Sequence, residues 1–193
     1  MKKSTSTMTI IFILLIIAIV GYYAYLSNRR QENQKETQLT TVQTVLARDL
    51  KLEYPVSPRE VIKYYNEIMK CFYNEELTEE ELEGLAKKSR QLFDDELVLA
   101  NEYDSYLQNL KSEIDTYKLK KRKITNCSVA ASTSVDFYSV DGFEFARLSC
   151  GYTMMENGKS IPTHLVYLLR QDDKKQWKIY GWDLAENLRI NED

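Results

Sequence analysis

Apolar residues follow three successive patterns along this chain. The first is continuous. Met8–Leu26 (MTIIFILLIIAIVGYYAYL) is a 19-residue run with no charge and no proline. As a helix it would rise roughly 28 Å, close to the hydrocarbon thickness of a bilayer. It is longer than the apolar core of about 7–15 residues in a cleaved signal peptide, and no small-x-small site or cysteine follows it. The pattern therefore predicts an uncleaved, single-pass transmembrane anchor, with Tyr22, Tyr23 and Tyr25 at headgroup level. Lys2, Lys3 and the terminal amine oppose Arg29 and Arg30 across it. The expected orientation places the N-terminus in the cytoplasm and the following domain outside the cell membrane.

The second pattern has a period near 3.6. Ser27–Thr37 is polar and aperiodic and reads as a juxtamembrane linker. Leu39, Val42, Leu46 and Leu50 fall at helical spacing, so residues 31–54 form a linker with one short helix, ended by Pro55. Ser57-Pro58-Arg59-Glu60 then combines a capping serine, a first-turn proline and the glutamate of a capping box. Val61, Tyr65, Ile68 and Phe72 make the apolar stripe behind it, to about Tyr73. Thr78–Glu81 is a second capping box, and Leu82, Leu85, Ala86, Leu92 and Phe93 form the apolar side of that helix. A third helix carries Tyr103, Tyr106, Leu107, Leu110, Ile114 and Tyr117 at three- and four-residue steps.

The third pattern has period 2. Ile124–Val140 has no glycine or proline and reads as one long strand. Asp141-Gly142 is a two-residue hairpin signal. Closing it places Phe137 opposite Ala146, Val135 opposite Leu148, Ala131 opposite Tyr152 and Val129 opposite Met154. On the other face Asp136 meets Arg147 and Tyr138 meets Phe145. Asn157-Gly158 predicts a second hairpin that sets Cys150 against Leu165, Leu148 against Tyr167 and Ala146 against Leu169. A last strand, Gln176–Leu184, puts Trp177 and Ile179 on one face and Tyr180 and Trp182 on the other, and the pattern does not choose which is inside.

Helices followed by an antiparallel meander predict an α+β domain over residues 55–193, with three helices packed on one face of a curved sheet. This order, with the closing Trp177-Lys178-Ile179 strand, resembles the cone of the nuclear transport factor 2-like superfamily over about residues 55–185. The runs YPVSPREVIKYYNEIMKCFYNEE, VDGFEFARLSCGYT and WKIYGW resemble an uncharacterised family of membrane-anchored proteins from Gram-positive anaerobic bacteria. That resemblance implies no activity and transfers no catalytic residue. Assembly proteins of conjugative secretion systems are similar in layout, one anchor plus such a domain.

Charge narrows the partners. The first 30 residues hold four basic side chains and no acid, so a chain of net charge −3 leaves −7 for the remainder. Such a domain is not built for nucleic acid. Cys71, Cys127 and Cys150 are odd in number and lack CxxC spacing, and the chain has one histidine, so neither a disulfide framework nor a metal site is expected. The first hairpin places Cys150 opposite Thr133, roughly 20 Å along the strand from Cys127, which predicts free thiols.

His164 would face Gly151 on the outer side of the sheet, a surface histidine. The basic run Lys118–Lys123 reads as a helix C-terminus followed by a charged strand start. Glu79–Glu81 and Asp94–Glu96 read as helix-end and solvated charges. Asn126-Cys127-Ser128 fits a glycosylation sequon, here by chance. Thr133, Cys150, Tyr152, Thr163 and Tyr167 point inward and are the candidate pocket lining. No carboxylate lies mid-sheet on that face, and no paired acid and base is evident, so neither catalytic residues nor a cofactor is expected. Tyr138, Phe145, Val166 and Leu168 point outward and are the candidate interface. Either the 39–50 segment folds over them or a partner protein or second copy does. The chain thus reads as an anchored, non-catalytic interaction domain, with a small-molecule-binding or enzymatic pocket as the second reading.

Overall fold

The computed structural model describes Tyr22 and residues 39–189. Its larger compact unit begins at Thr41. The elements are α1 Thr41–Ala47, α2 Pro58–Asn74, α3 Glu79–Gln91, α4 Asp95–Ala100, α5 Tyr103–Leu119, β1 Arg122–Val129, β2 Asp136–Val140, β3 Phe143–Glu156, β4 Lys159–Gln171, β5 Trp177–Leu184 and α6 Ala185–Arg189.

The predicted helix starts are used. The Ser57 side chain accepts from the Glu60 N–H at 3.3 Å, with Pro58 in the first turn. Glu60 itself turns to Lys63 at 2.7 Å instead of closing the box. At α3 the box is reciprocal: Thr78 Oγ1 accepts from the Glu81 N–H, and Glu81 Oε2 accepts from the Thr78 N–H at 2.9 Å. Val61, Ile62, Tyr65, Ile68 and Phe72 of α2 are buried, and α2 packs across the sheet. The short helix α1 joins the other helices. The Tyr64 hydroxyl donates to the Val45 carbonyl at 2.8 Å, and Leu46 lies so close to Gly84 that a Cβ there would sit 3.0 Å from its Cδ2. Val42, Val45 and Leu50 are buried while Leu39 is exposed.

The sheet runs β1-β3-β4-β5, with β2 also paired to β3. Both turn signals hold: Asp141 and Asn157 adopt φ near 50°, followed by Gly142 and Gly158 at 83° and 78°, as a type I′ turn requires. The second hairpin keeps its predicted register through all twelve pairs, from Phe145 opposite Arg170 to Glu156 opposite Lys159.

Four expectations need correction. First, among the described residues no helix is long and apolar enough to cross a membrane. The longest, α2 and α5, have 17 residues each and carry charged side chains. The N-terminal transmembrane helix of the sequence reading is therefore not supported, and Met8–Leu26, Tyr22 excepted, lies outside the described residues.

Second, Ile124–Val140 is two strands. The first hairpin keeps its register from Val140 back to Asp136. The chain then leaves the sheet in a 3-10 turn at Ser132–Ser134, where the Ser134 N–H donates to the Ala131 carbonyl at 2.9 Å. It rejoins β3 displaced by four residues, so Val129 faces Cys150 and Cys127 faces Tyr152. Ser132, Thr133 and Ser134 offer local hydrogen bonds and no apolar anchor, which favours a turn over a ladder. Because the displacement is even, Cys127 and Val129 still point inward, whereas Ala131, expected opposite Tyr152, lies exposed beside the turn.

Third, β5 carries a bulge. Leu169 pairs with Ile179 but Leu168 pairs with Gly181. Tyr180 is the extra residue, so Ile179 and Trp182 share the inner side although they are three apart.

Fourth, Asp94 is not solvated. It is 3% exposed. Its two oxygens accept from Arg170 at 2.6 and 3.0 Å, and Arg170 also donates to Glu96 at 2.7 Å. Asp94 caps α4, a helix the sequence pattern did not predict. Its N–H donates to the Ile179 carbonyl at 2.9 Å while the Ile179 N–H donates to Leu92 at 2.7 Å.

The thiols are free, but not for the predicted reason. Cys127 is a diagonal neighbour of Cys150, a spacing of about 7–8 Å at the edge of disulfide reach.

Two predictions follow from this packing. Arg170→Met leaves the Asp94 carboxylate buried without its cation and is expected to cost about 3–5 kcal/mol in urea unfolding, whereas Arg147→Met, at an exposed pair with Asp136, should cost less than about 1 kcal/mol. Burial pushes the Cys71 and Cys127 thiols up to about 11 and the Tyr64 phenol up to about 12. Groups raised in the folded state contribute their stability in full below their unfolded values and lose it as pH climbs through the folded ones. The urea midpoint should therefore hold up to about pH 9 and fall between about pH 9 and 12.

Candidate functional site: an aromatic cavity between helices and sheet

Between α2, α5 and the sheet lies an open cavity of about 300 Å³. Helix α2 contributes Tyr65, Met69 and Tyr73. Helix α5 contributes Tyr106, Leu110, Glu113 and Tyr117. The sheet side is Ile124, Tyr152, Met154, Thr163, Leu165, Tyr167 and Trp182. The steps from Tyr65 to Met69 and Tyr73, and from Tyr106 to Leu110, Glu113 and Tyr117, place each set on one helix face. Tyrosine rings fill the place that leucine would take in a closed core, and they keep a polar end there.

The floor is a buried polar network. The Tyr152 hydroxyl donates to Asn66 Oδ1 at 2.6 Å and lies 2.6 Å from the Tyr167 hydroxyl. Since Tyr152 has one proton and gives it to Asn66, Tyr167 is the donor in that second bond. Asn66 Nδ2 reaches Cys150 Sγ at 3.4 Å. Burial, more than any neighbour, holds both phenols far above the usual tyrosine range.

The mouth is aromatic and acidic. Tyr73 stacks on Tyr117 at 4.0 Å. Tyr65, Tyr167 and Trp182 cluster with ring centroids 6.0 to 6.2 Å apart. Trp182 is 44% exposed and Glu113 is also exposed. Burial is the first cause that raises the phenols of Tyr65, Tyr73, Tyr106 and Tyr117, and the charge of Glu113 adds to it at each of the four. No lysine, arginine or histidine is among the lining residues.

Of the residues expected to line a pocket, Tyr152, Thr163 and Tyr167 do so. Cys150 is fully buried beneath them, bonded to Asn66. Thr133 does not: it sits exposed in the 3-10 turn, because the strand breaks there. The helical wall and Glu113 were missed, since strand parity says nothing about what faces the sheet. The one available signal was the run of tyrosines on the third helical stripe. Of the outward residues, Tyr138 and Phe145 stack at 5.7 Å, and Phe145 meets Tyr180 edge-on at 5.8 Å. Tyr138, Arg147, Val166, Leu168, Trp182 and Asp183 line a shallow groove of about 340 Å³. His164 is exposed beside Gly151. The basic run is divided, with Lys118 paired to Glu76 and Arg122 to Glu156.

The lining offers phenols, the Thr163 hydroxyl and a single carboxylate, which has no basic partner among the lining residues. Tyr152→Phe strands the Asn66 carbonyl and the Tyr167 hydroxyl together, and is expected to lower stability by about 1–3 kcal/mol. Urea unfolding measures this, with Tyr180→Phe, on the exposed side of the sheet, as the smaller control.

No curated protein matches this chain. A family model does, over residues 1–182, and by that match the chain belongs to the family described as a domain of unknown function, DUF6715.

Proposed function

We propose that this domain is a non-catalytic binding module of nuclear transport factor 2-like build, with its ligand held between the helices and the concave side of the sheet. One observation carries the reading: an open cavity of about 300 Å³ walled by tyrosine and tryptophan, with a few convergent polar groups. This is the composition of small-molecule sites. The sequence reading put such a ligand second because the inner sheet face lacks a carboxylate. Glu113 enters from the helix side instead, and lacking a paired acid or base it favours binding over chemistry.

The chain has two tryptophans, so Trp177→Phe isolates the emission of Trp182 at the mouth. Small aromatic ligands should change that emission saturably, and Leu165→Phe, which narrows the cavity, should abolish the saturable part. Linear, non-saturating responses to every ligand would refute the cavity reading.

A second reading concerns the outer sheet face. Helix α1 packs on α2 and α3, so it does not cover Tyr138, Phe145, Val166 and Leu168. Contiguous apolar faces of this kind mark protein interaction sites, and a second copy of the chain is the occupant proposed here. Sedimentation should show concentration-dependent association that Val166→Lys with Leu168→Lys abolishes. A wild-type chain that stays monomeric at high concentration would exclude self-association.

A further inference from the structure

We propose that the cavity selects a small organic cation, an alkylammonium head group on a short apolar or aromatic tail. This deepens the reading of the cavity as a ligand site and rests on it.

Charge is the first argument. Glu113 is the one ionised side chain among the lining residues, and none of them is basic. A ligand that closes over the mouth takes water from this carboxylate. A neutral ligand leaves that cost uncompensated, and an anion adds repulsion to it. A cation supplies the missing partner.

The walls are the second argument. Tyr65, Tyr73 and Trp182 line the cavity with π-systems, and a ring face attracts a cation that comes within roughly 6 Å of its centroid. Two tyrosines of the same cavity already hold cations this way. Arg90 lies 5.4 Å from the centroid of Tyr106, and Arg122 lies 5.1 Å from that of Tyr117. Neither arginine is free to serve as the cavity's own counter-charge. Arg90 donates to the Val98 and Asn101 carbonyls, and Arg122 is paired with Glu156.

Size is the third argument. About 300 Å³ lies at the lower end of small-molecule sites. It suits one head group with a ring or a few methylenes, not an extended ligand.

The test uses the full chain and three probes of similar shape: phenyltrimethylammonium, the neutral isostere tert-butylbenzene, and benzoate. Calorimetric titration should give a Kd for the cation about tenfold or more below that of the isostere, and no binding of benzoate. Glu113→Gln should remove most of that advantage while leaving the isostere's affinity unchanged. Raising the salt concentration should weaken the cation alone. Equal affinities for cation and isostere, or a cation affinity indifferent to Glu113→Gln, would overturn the proposal while leaving the cavity a ligand site. Binding of none of the three would overturn both.

Discussion

The contact of Asp94 with Arg170 ties the helical layer to the sheet at a buried polar point in a largely apolar seam. The segment Leu92–Asp94 runs beside β5 and bonds to both sides of Ile179, closing an edge strand that would otherwise expose its ladder. Arg170 reaches from β4 to grip both Asp94 oxygens. It also lies 4.8 Å from the ring of Tyr180 and 5.0 Å from that of Phe143. A buried ion pair adds little net stability over a well-packed apolar pair; its worth lies in the arrangement it specifies. Here it holds the N-cap of α4 against β4.

The cavity shares β5 with that junction. With the edge fixed, the bulge at Tyr180 turns Trp182 inward toward Tyr65 and Tyr167. Rings as large as these cannot close the space as leucines would without driving their hydroxyls into apolar surroundings. Pairing Tyr152 with Asn66 and Tyr167 satisfies the deepest of them. Of the others, the Tyr106 hydroxyl lies 2.7 Å from Ser89 Oγ and the Tyr117 hydroxyl donates to Met154 Sδ at 3.3 Å. Packing and opening are thus two results of one choice of side chain.

Most of the architecture was legible because it is local. Capping signals, helical stripes and two-residue turns act within a few residues, and the two capped helix starts, the third helical stripe and both hairpin turns are found. The second hairpin carried its register across twelve pairs because nothing in β3 or β4 interrupts alternation. The first did not, because Ala131–Ser134 lacks an apolar side chain large enough to hold it to the core. Helix α4 was missed for a related reason: its six residues carry no stripe, and what holds it is a capping aspartate anchored by a distant arginine.

By itself the sequence determined the succession of long helices and then antiparallel strands, the two hairpin turns, and which residues of β3 and β4 point inward, since each depends on backbone preference and a fixed side-chain period. Only the tertiary structure decided what stands opposite that inner face. Asp94 and Arg170 are 76 residues apart, and no local rule distinguishes them from solvated charges. Glu113 lies on a helix whose rotation is set by packing of its neighbours Leu110 and Ile114. The choice between Ile179 and Trp182 disappeared because a bulge admitted both, and a bulge is set by the pairing of two strands rather than by the residues of either one.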